Sequence, residues 1–403
     1  MKLLLIILFI LAFASLSFGQ TPSTSPTPTQ SASPEKGRAK PFGFSLGKYR
    51  DKEQRNSQNK QESNEPVDVE SIRVTTDLVV NDVLVTDQNG KMIGELNKDD
   101  FVVTEDGAPQ KIEVFSPGES ATVSRSIVLI IDCYFAQAPY LNNSIRAAKT
   151  LVDKLAPQDR MAIVTVDVKL VLGFTRDKTL LKNTLDSLLE KKDLILENGG
   201  ELDALLPQFK YNPGLAKQYG DSLEKKGVAS GREFEALLAV LNEMFDHEDR
   251  QRIVIFQGDG SEIIQLKTDD DSPYQIANSA WTRVRIKYHV KERAKSFGFS
   301  DVKEAIERSR ATIYSVTPGV RFLGFSKKEQ KARAKISFTN IYRSMGLRER
   351  YLPVIREEFQ APFAEMLLAG QTAMLRVAEL SGGNLGFIEK PEMRMPSTRT
   401  FSS

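Results

Sequence analysis

The hydrophobic pattern of the chain changes several times, and each change predicts a different kind of structure. "SIRVTTDLVVNDVLVTD", beginning at Ser71, alternates apolar and polar residues as half-buried strands do, and "QNGK" follows as a turn. "DDFVVTEDGAPQKIEVF" predicts two more strands around Glu105, Asp106 and Gly107, a hairpin signal. So few strands are marginal alone, so this antiparallel, sandwich-like unit is expected to lean on the rest of the chain. From Ser126 the alternation gives way to continuous apolar runs separated by helical periods. "SIVLIID", "DRMAIVTVD", "RQRIVIFQGDG" and "TIYSVTPG" read as buried strands, and "VKLVLGFT" as a hairpin partner at a sheet edge.

Between them lie helices. "LNNSIRAAKTLVDKLA" places Ile145, Ala148, Leu151, Val152 and Leu155 on one face, with Asn142 or Asn143 as N-cap. "KTLLKNTLDSLLEK", "GREFEALLAVLNEMFDHED" and "SDVKEAIERSRA" follow, and "GQTAMLRVAELSGGNLGFIEK" reads as helix, Gly-Gly stop and strand. The alternation predicts an α/β fold, a doubly wound and mostly parallel sheet with a small N-terminal antiparallel β unit. In such sheets ligands gather at the carboxyl ends of the strands.

The first residues change the setting. "MKLLLIILFILAFASLSFG" has a basic Lys2, a short apolar run and small residues before Gln20, the pattern of a cleaved signal peptide over residues 1–19. The expectation is an exported protein, in the periplasm, at the outer surface or secreted. Residues 20–66 are rich in Pro, Ser, Thr and Gln and are expected to be a disordered linker, within which "PFGFSLGKY" is a more apolar spot. The β unit then spans 67–120, the α/β domain 121–390, and a polar tail 391–403.

A formal net charge of +2 provides no whole-chain field for nucleic acid or an anionic membrane. The lone cysteine, Cys133, allows no internal disulfide and is expected to be buried at its strand end. Two histidines, His247 and His289, leave little material for a zinc site or a His-based triad.

Candidate chemistry centres on Asp132 and Asp259, acids that end "IVLIID" and follow "IVIFQG". The chain has no Walker-type loop, G-x-S-x-G elbow or zinc-protease helix motif. A strand-end Asp nucleophile of the phosphohydrolase kind needs a second acid two residues on, where this chain has Tyr134. The expectation is that the protein is not an enzyme.

The α/β part resembles a von Willebrand factor type A domain. Together with the preceding strands it is similar to the VWFA-related proteins of the acidobacterial type. The likeness is carried by "VTDQNGK", "DDF", "EDGAPQKIEVF", "IVLIID", "LAPQDRMAIVTV", "IVIFQGDG", "ATIYSV" and "LAGQTAMLRVAELSGG", in that order.

That resemblance implies an adhesion site in which an Asp-x-Ser-x-Ser loop, a Thr and a later Asp hold Mg²⁺ or Mn²⁺ for a partner's carboxylate. Asp132 and Asp259 match the two acids. Tyr134 and Ala136 stand at the serine positions, and Gly231, beside Ser230, stands at the threonine. The resemblance therefore implies a degenerate site, with Asp132, Asp259 and Ser230 as remaining candidate ligands. No resident cofactor is expected, and the alternative keeps Mg²⁺ or Mn²⁺ through waters.

The function expected is a protein-binding module of adhesion or scaffold type. It would use the carboxyl-end rim, with Tyr134, Phe135, Tyr140, Arg232 and Ser261 as contact residues. Two insertions, 193–230 and 319–363, depart from the family pattern. The second is helical and basic, with Ile336, Phe338, Ile341 and Tyr342 available for packing, and offers a membrane or envelope contact as a further alternative. "KTDDDSPY" is expected to be a solvated loop rather than a calcium site.

Overall fold

The computed structural model of the chain describes residues 40–49, 83, 85, 93, 96–113, 115, 124–190, 218, 232–245, 250–274, 295–344 and 357–391. The stretch expected to be a signal peptide, most of the first two strands of the β unit, all but one residue of the insertion at 193–230 and all but the first residue of the tail lie outside the described residues. Of the β unit, the hairpin is seen. β1 (Val103–Glu105) pairs antiparallel with β2 (Ala108–Gln110). Asp106 and Gly107 both have positive φ, at 49° and 81°, the combination that a two-residue turn needs to follow the twist of its strands.

The main sheet has six strands: β3 (Arg125–Ile131), β4 (Arg160–Thr165), β5 (Lys169–Thr175), β6 (Gln251–Gln257), β7 (Thr312–Pro318) and β8 (Leu385–Ile388). Their order is β5-β4-β3-β6-β7-β8, parallel except for the antiparallel edge strand β5. This is the doubly wound α/β architecture that the pattern predicted.

Residue parity in β3 explains the two cores. Val128 and Ile130 face one layer, with Val164, Phe256, Phe234, Leu237, Phe299 and Met374. Ile127, Leu129 and Ile131 face the other, with Ile145, Val152, Ile163, Leu181 and Leu185. Each such side chain contributes about 1.5–3 kcal/mol by leaving water, which is why the continuous apolar runs become central strands.

Helices α1 (Leu141–Asp153) and α2 (Lys178–Ser187) cover the second face. The N-cap of α1 is Tyr140, with no side-chain cap, rather than Asn142 or Asn143 as expected. Leu141 is buried and draws those asparagines into the first turn. The first face is covered by α3 (Glu233–Glu243), α4 (Phe299–Ser309) and α6 (Glu357–Leu380), with α5 (Lys327–Ser344) packed on α6. The last helix begins well before Gly370, where the sequence pattern placed it, because Pro362 sits in an early turn and the helix runs through it. In the acidic loop, Asp269 turns inward and accepts from the N–H (2.9 Å) and hydroxyl (2.8 Å) of Ser300 at the start of α4, while Asp270 and Asp271 are exposed.

Two details differ more sharply from the sequence reading. "PFGFSLGKY" is no loose linker spot. Glu243 of α3 accepts from the N–H groups of Gly43 (2.8 Å) and Ser45 (2.9 Å) and from the Ser45 hydroxyl, while Leu46 and Tyr49 are buried. Tyr49 also packs against Phe297, with ring centroids 5.8 Å apart. In the basic insertion, Phe338 and Ile341 pack inward as expected, but Ile336 is 53 % exposed.

At the amino end of the sheet, buried Asp159 accepts from Arg125 N (3.0 Å), Nε (3.0 Å) and Nη2 (2.5 Å), and from Ala156 N (2.9 Å). Burial alone would raise its pKa, but the bonds from Arg125 and Ala156 outweigh that and lower it. A depressed carboxylate stabilises the fold above its unfolded pKa and loses that contribution as pH falls through the folded value. Asp159→Ala is therefore expected to cost about 3 kcal/mol at pH 7 and much less in strong acid, measured by urea melts at both pH values. A pH-independent loss would contradict the assignment.

Candidate functional site

The connections leave β3 and β6 in opposite directions, so the loops at their carboxyl ends part and leave a crevice. Asp132 is the first residue after β3, and Asp259 follows β6 by two. The ladder continues past both strand ends: Asp132 N–H donates to Gln257 O (3.1 Å), and Gly258 N–H to Val316 O (3.1 Å). Each acid then folds its own loop. The Asp132 carboxylate accepts from Tyr134 N (2.7 Å), and Asp259 from Ser261 N (2.8 Å).

A third acid joins them from α3. Among the described residues, Asp132, Glu233 and Asp259 each offer a carboxylate oxygen within 4.8 Å of the others. All three are buried, at 1 %, 0 % and 8 % exposure. Burial, followed by the charges of Asp259 and Asp132, pushes the Glu233 carboxyl well above the usual range. Glu233 Oε2 accepts from Glu262 N (3.2 Å), and a hydrogen bond between the Glu233 and Asp259 side chains adds to the upward shift.

Gln137, 3 % exposed, completes the floor. Its Nε2 donates to Asp259 Oδ2 at 3.0 Å, and its Oε1 has no partner. Tyr134 is partly buried against the first core. Burial, then Asp259, Asp132 and Glu233, raise its phenol well above its ordinary value, so the hydroxyl stays protonated among the acids.

A second layer fixes Glu233. Glu262 is buried and accepts from Phe234 N (2.6 Å) and Glu235 N (3.4 Å), occupying orphan donors of the first turn of α3. Lys295 Nζ lies 2.9 Å from Glu262 and 2.6 Å from Glu235, and Arg232 also pairs with Glu235. On the far side, Gly370 of α6 meets the Asp259–Gly260 turn backbone to backbone. A Cβ on Gly370 would overlap the Asp259 carbonyl oxygen, and one on Gly260 the Gly370 carbonyl.

The insertion covers this end of the sheet. Gln371 of α6 holds the loop after β7 by accepting from Phe322 N (2.7 Å) and Leu323 N (3.3 Å) and donating to Val320 O (2.9 Å). Asn340 of α5 donates to the Tyr140 hydroxyl at 3.1 Å, and Phe338 meets Phe363 edge to face at 5.8 Å.

The sequence candidates are thus distributed unevenly. Asp132 and Asp259 come together, with Tyr134 beside them. Arg232 and Ser261 are part-exposed at the edge. Tyr140 is 2 % exposed, an internal contact rather than a surface anchor in this conformation. Cys133 is buried, as expected. Ser230 lies outside the described residues, as does the side chain of Phe135.

Glu233 and Gln137 were not singled out from sequence. A signal for Glu233 existed: Phe234 to Leu241 is buried on every side, so an acid opening that helix must be buried too.

No protein-family model matches the chain, and no curated protein matches it in sequence. Solved structures give slight likenesses. One is an aerotolerance-related membrane protein from Bacteroides fragilis NCTC 9343, at 12 % identity over 48 % of this chain and 67 % of that one, with TM-score 0.27. Another is the conserved hypothetical protein BatB from Bacteroides thetaiotaomicron, at 13 % identity over 58 % of this chain and 97 % of that one, with TM-score 0.28. Values this low carry no functional argument.

Proposed function

We propose that this chain is an exported, non-enzymatic protein-binding module that presents the rim around the β3–β6 crevice to its partner. One observation carries the reading: the crevice turns its acids inward, while Tyr134, Arg232 and Ser261 remain part-exposed around them. Acids enclosed in this way make poor general bases for a substrate in solution, but they set loop shape rigidly. A photo-crosslinking residue placed at Arg232 or Ser261 is expected to trap a partner in cells that make the protein, and one at Lys149 on α1 is not. Equal trapping at both faces, or none at the rim, would count against the rim.

The cation implied by the resemblance fits the residues present. The donors are all oxygens, as Mg²⁺, Mn²⁺ and Ca²⁺ prefer, and metal–oxygen distances of about 2.0–2.6 Å span oxygens roughly 4–5 Å apart. Asp132, Asp259 and Glu233 would hold it, and it would supply positive charge to the crevice floor.

A second reading is favoured by α5. Lys327, Lys331, Lys335 and Arg343 are exposed in steps that place them along one side of the helix, and exposed Ile336 lies beside Lys335. That surface suits an anionic membrane. Among the described residues no helix is long and apolar enough to cross one. Flotation with phosphatidylserine vesicles at low salt is expected to retain the protein, and the triple change Lys327→Glu, Lys331→Glu, Lys335→Glu to release it. Equal flotation of the two would exclude α5 as the contact.

A further inference from the structure

We infer that Glu233 takes the place of the serine and threonine hydroxyls absent at positions 134, 136 and 231, and that with Asp132 and Asp259 it encloses one hard divalent cation inside the rim. The inference rests on the rim being the working end of the domain, but its test does not involve a partner.

Three observations support it independently. The first is convergence. Three acids from three elements, the ends of β3 and β6 and the first turn of α3, bring carboxylate oxygens within 4.8 Å. Like charges at such distances in a buried place repel unless protons or a cation intervene.

The second is unmet hydrogen-bonding capacity. Gln137 is not an acid, yet its amide is held at the cluster through Asp259, and its buried Oε1 has no donor. Buried acceptors without donors are rare in native interiors, and one held beside a carboxylate cluster is what an oxygen-seeking cation can use.

The third is support. The Glu233 carboxylate accepts from Glu262 N, and Glu262 in turn accepts from the first amides of α3, so the side chain is braced by a neighbour's backbone. Bracing of this kind fixes ligand orientation in metal sites generally.

The enclosure changes what such an ion would do. All three acids are covered, with α6 packed on the Asp259–Gly260 turn and α5 beside the Phe135–Gln137 turn. A cation here faces protein on its sides and joins β3, α3 and β6 as an internal cross-link. It does not offer a position that an acidic partner could reach.

The test uses the full chain, stripped with chelator and then melted with millimolar Mg²⁺, Mn²⁺ or Ca²⁺. At least one ion is expected to raise the melting temperature by about 5 °C or more, with one ion per chain by elemental analysis. Glu233→Gln is expected to melt at or above the stripped parent and to lose the rise. Glu233→Asp, which keeps the charge but withdraws the oxygen by one methylene, is expected to bind at least about tenfold more weakly and stands in should the glutamine variant not fold. The inference is overturned if no ion shifts the parent, or if the foldable Glu233 variant keeps the parent's shift and stoichiometry. Rim crosslinking that persists while metal binding fails would leave the binding reading standing without its ion.

Discussion

Gly370→Ala is expected to be strongly destabilising although it adds only one methyl group. A Cβ there has nowhere to go: it overlaps the carbonyl oxygen of Asp259, and behind that lies Gly260 in a left-handed turn at φ 69°. Backbone cannot yield as a flexible side chain can, so α6 must lift from the turn that carries Asp259. Overpacking of this kind costs about 3 kcal/mol or more, and a domain of this size loses roughly 2–4 °C of melting temperature per kcal/mol. A drop of about 10 °C in a thermal melt is the expected result. The control is Gly386→Ala on β8, where an added Cβ meets nothing within 4 Å and the change should be close to neutral. Parental stability for Gly370→Ala would mean that α6 does not sit where the structure puts it.

Lys295→Met should have an effect of similar size. The ammonium is largely covered and lies between Glu262 and Glu235. Burial by itself would lower its pKa, but those two carboxylates outweigh it and raise the value, so the side chain stays charged. Removing it strands Glu262, a fully enclosed carboxylate that also caps α3. Loss of one partner from a buried pair typically costs about 3–5 kcal/mol. The decisive comparison is the double variant Lys295→Met with Glu262→Gln, which keeps an acceptor for Phe234 N while deleting the stranded charge. It should recover a good part of the loss in urea melts. No recovery would show that Lys295 acts through its stem packing and not through its charge.

The sheet was legible because its signal is local. Parity in "SIVLIID" and "DRMAIVTVD" reports two buried faces whatever the rest of the chain does, and Asp132 and Asp259 announce themselves by ending or following apolar runs. Glu233 was not legible in the same way. An acid in the first turn of a helix ordinarily complements the helix dipole from the solvent side. Its inward orientation depends on Phe234, Leu237 and Leu241 turning α3 against β3 and β6, a long-range fact. Gln137 is further still from sequence logic, since its role exists only because Asp259 arrives from more than a hundred residues away.

Tyr140 failed as a surface anchor for the complementary reason. Aromatic residues on a rim suit partners, but the insertion brings Asn340 onto its hydroxyl, and nothing near Tyr140 in the chain foretells that. The docked segment at residues 40–49 was hidden by composition: its polar surroundings read as a tether, while Leu46, Tyr49 and the N–H groups taken by Glu243 make it part of the domain surface.

That docked segment has a mechanical consequence. A pull on the chain ahead of residue 40 does not arrive first at the sheet or at the β hairpin. It is delivered to Glu243 at the last turn of α3, through the bonds from Gly43 and Ser45. The first turn of that same helix holds Glu233 against Asp132 and Asp259. Tension applied at residue 40 is thus passed along α3, whose other end is set in the crevice floor, so load and rim share one element.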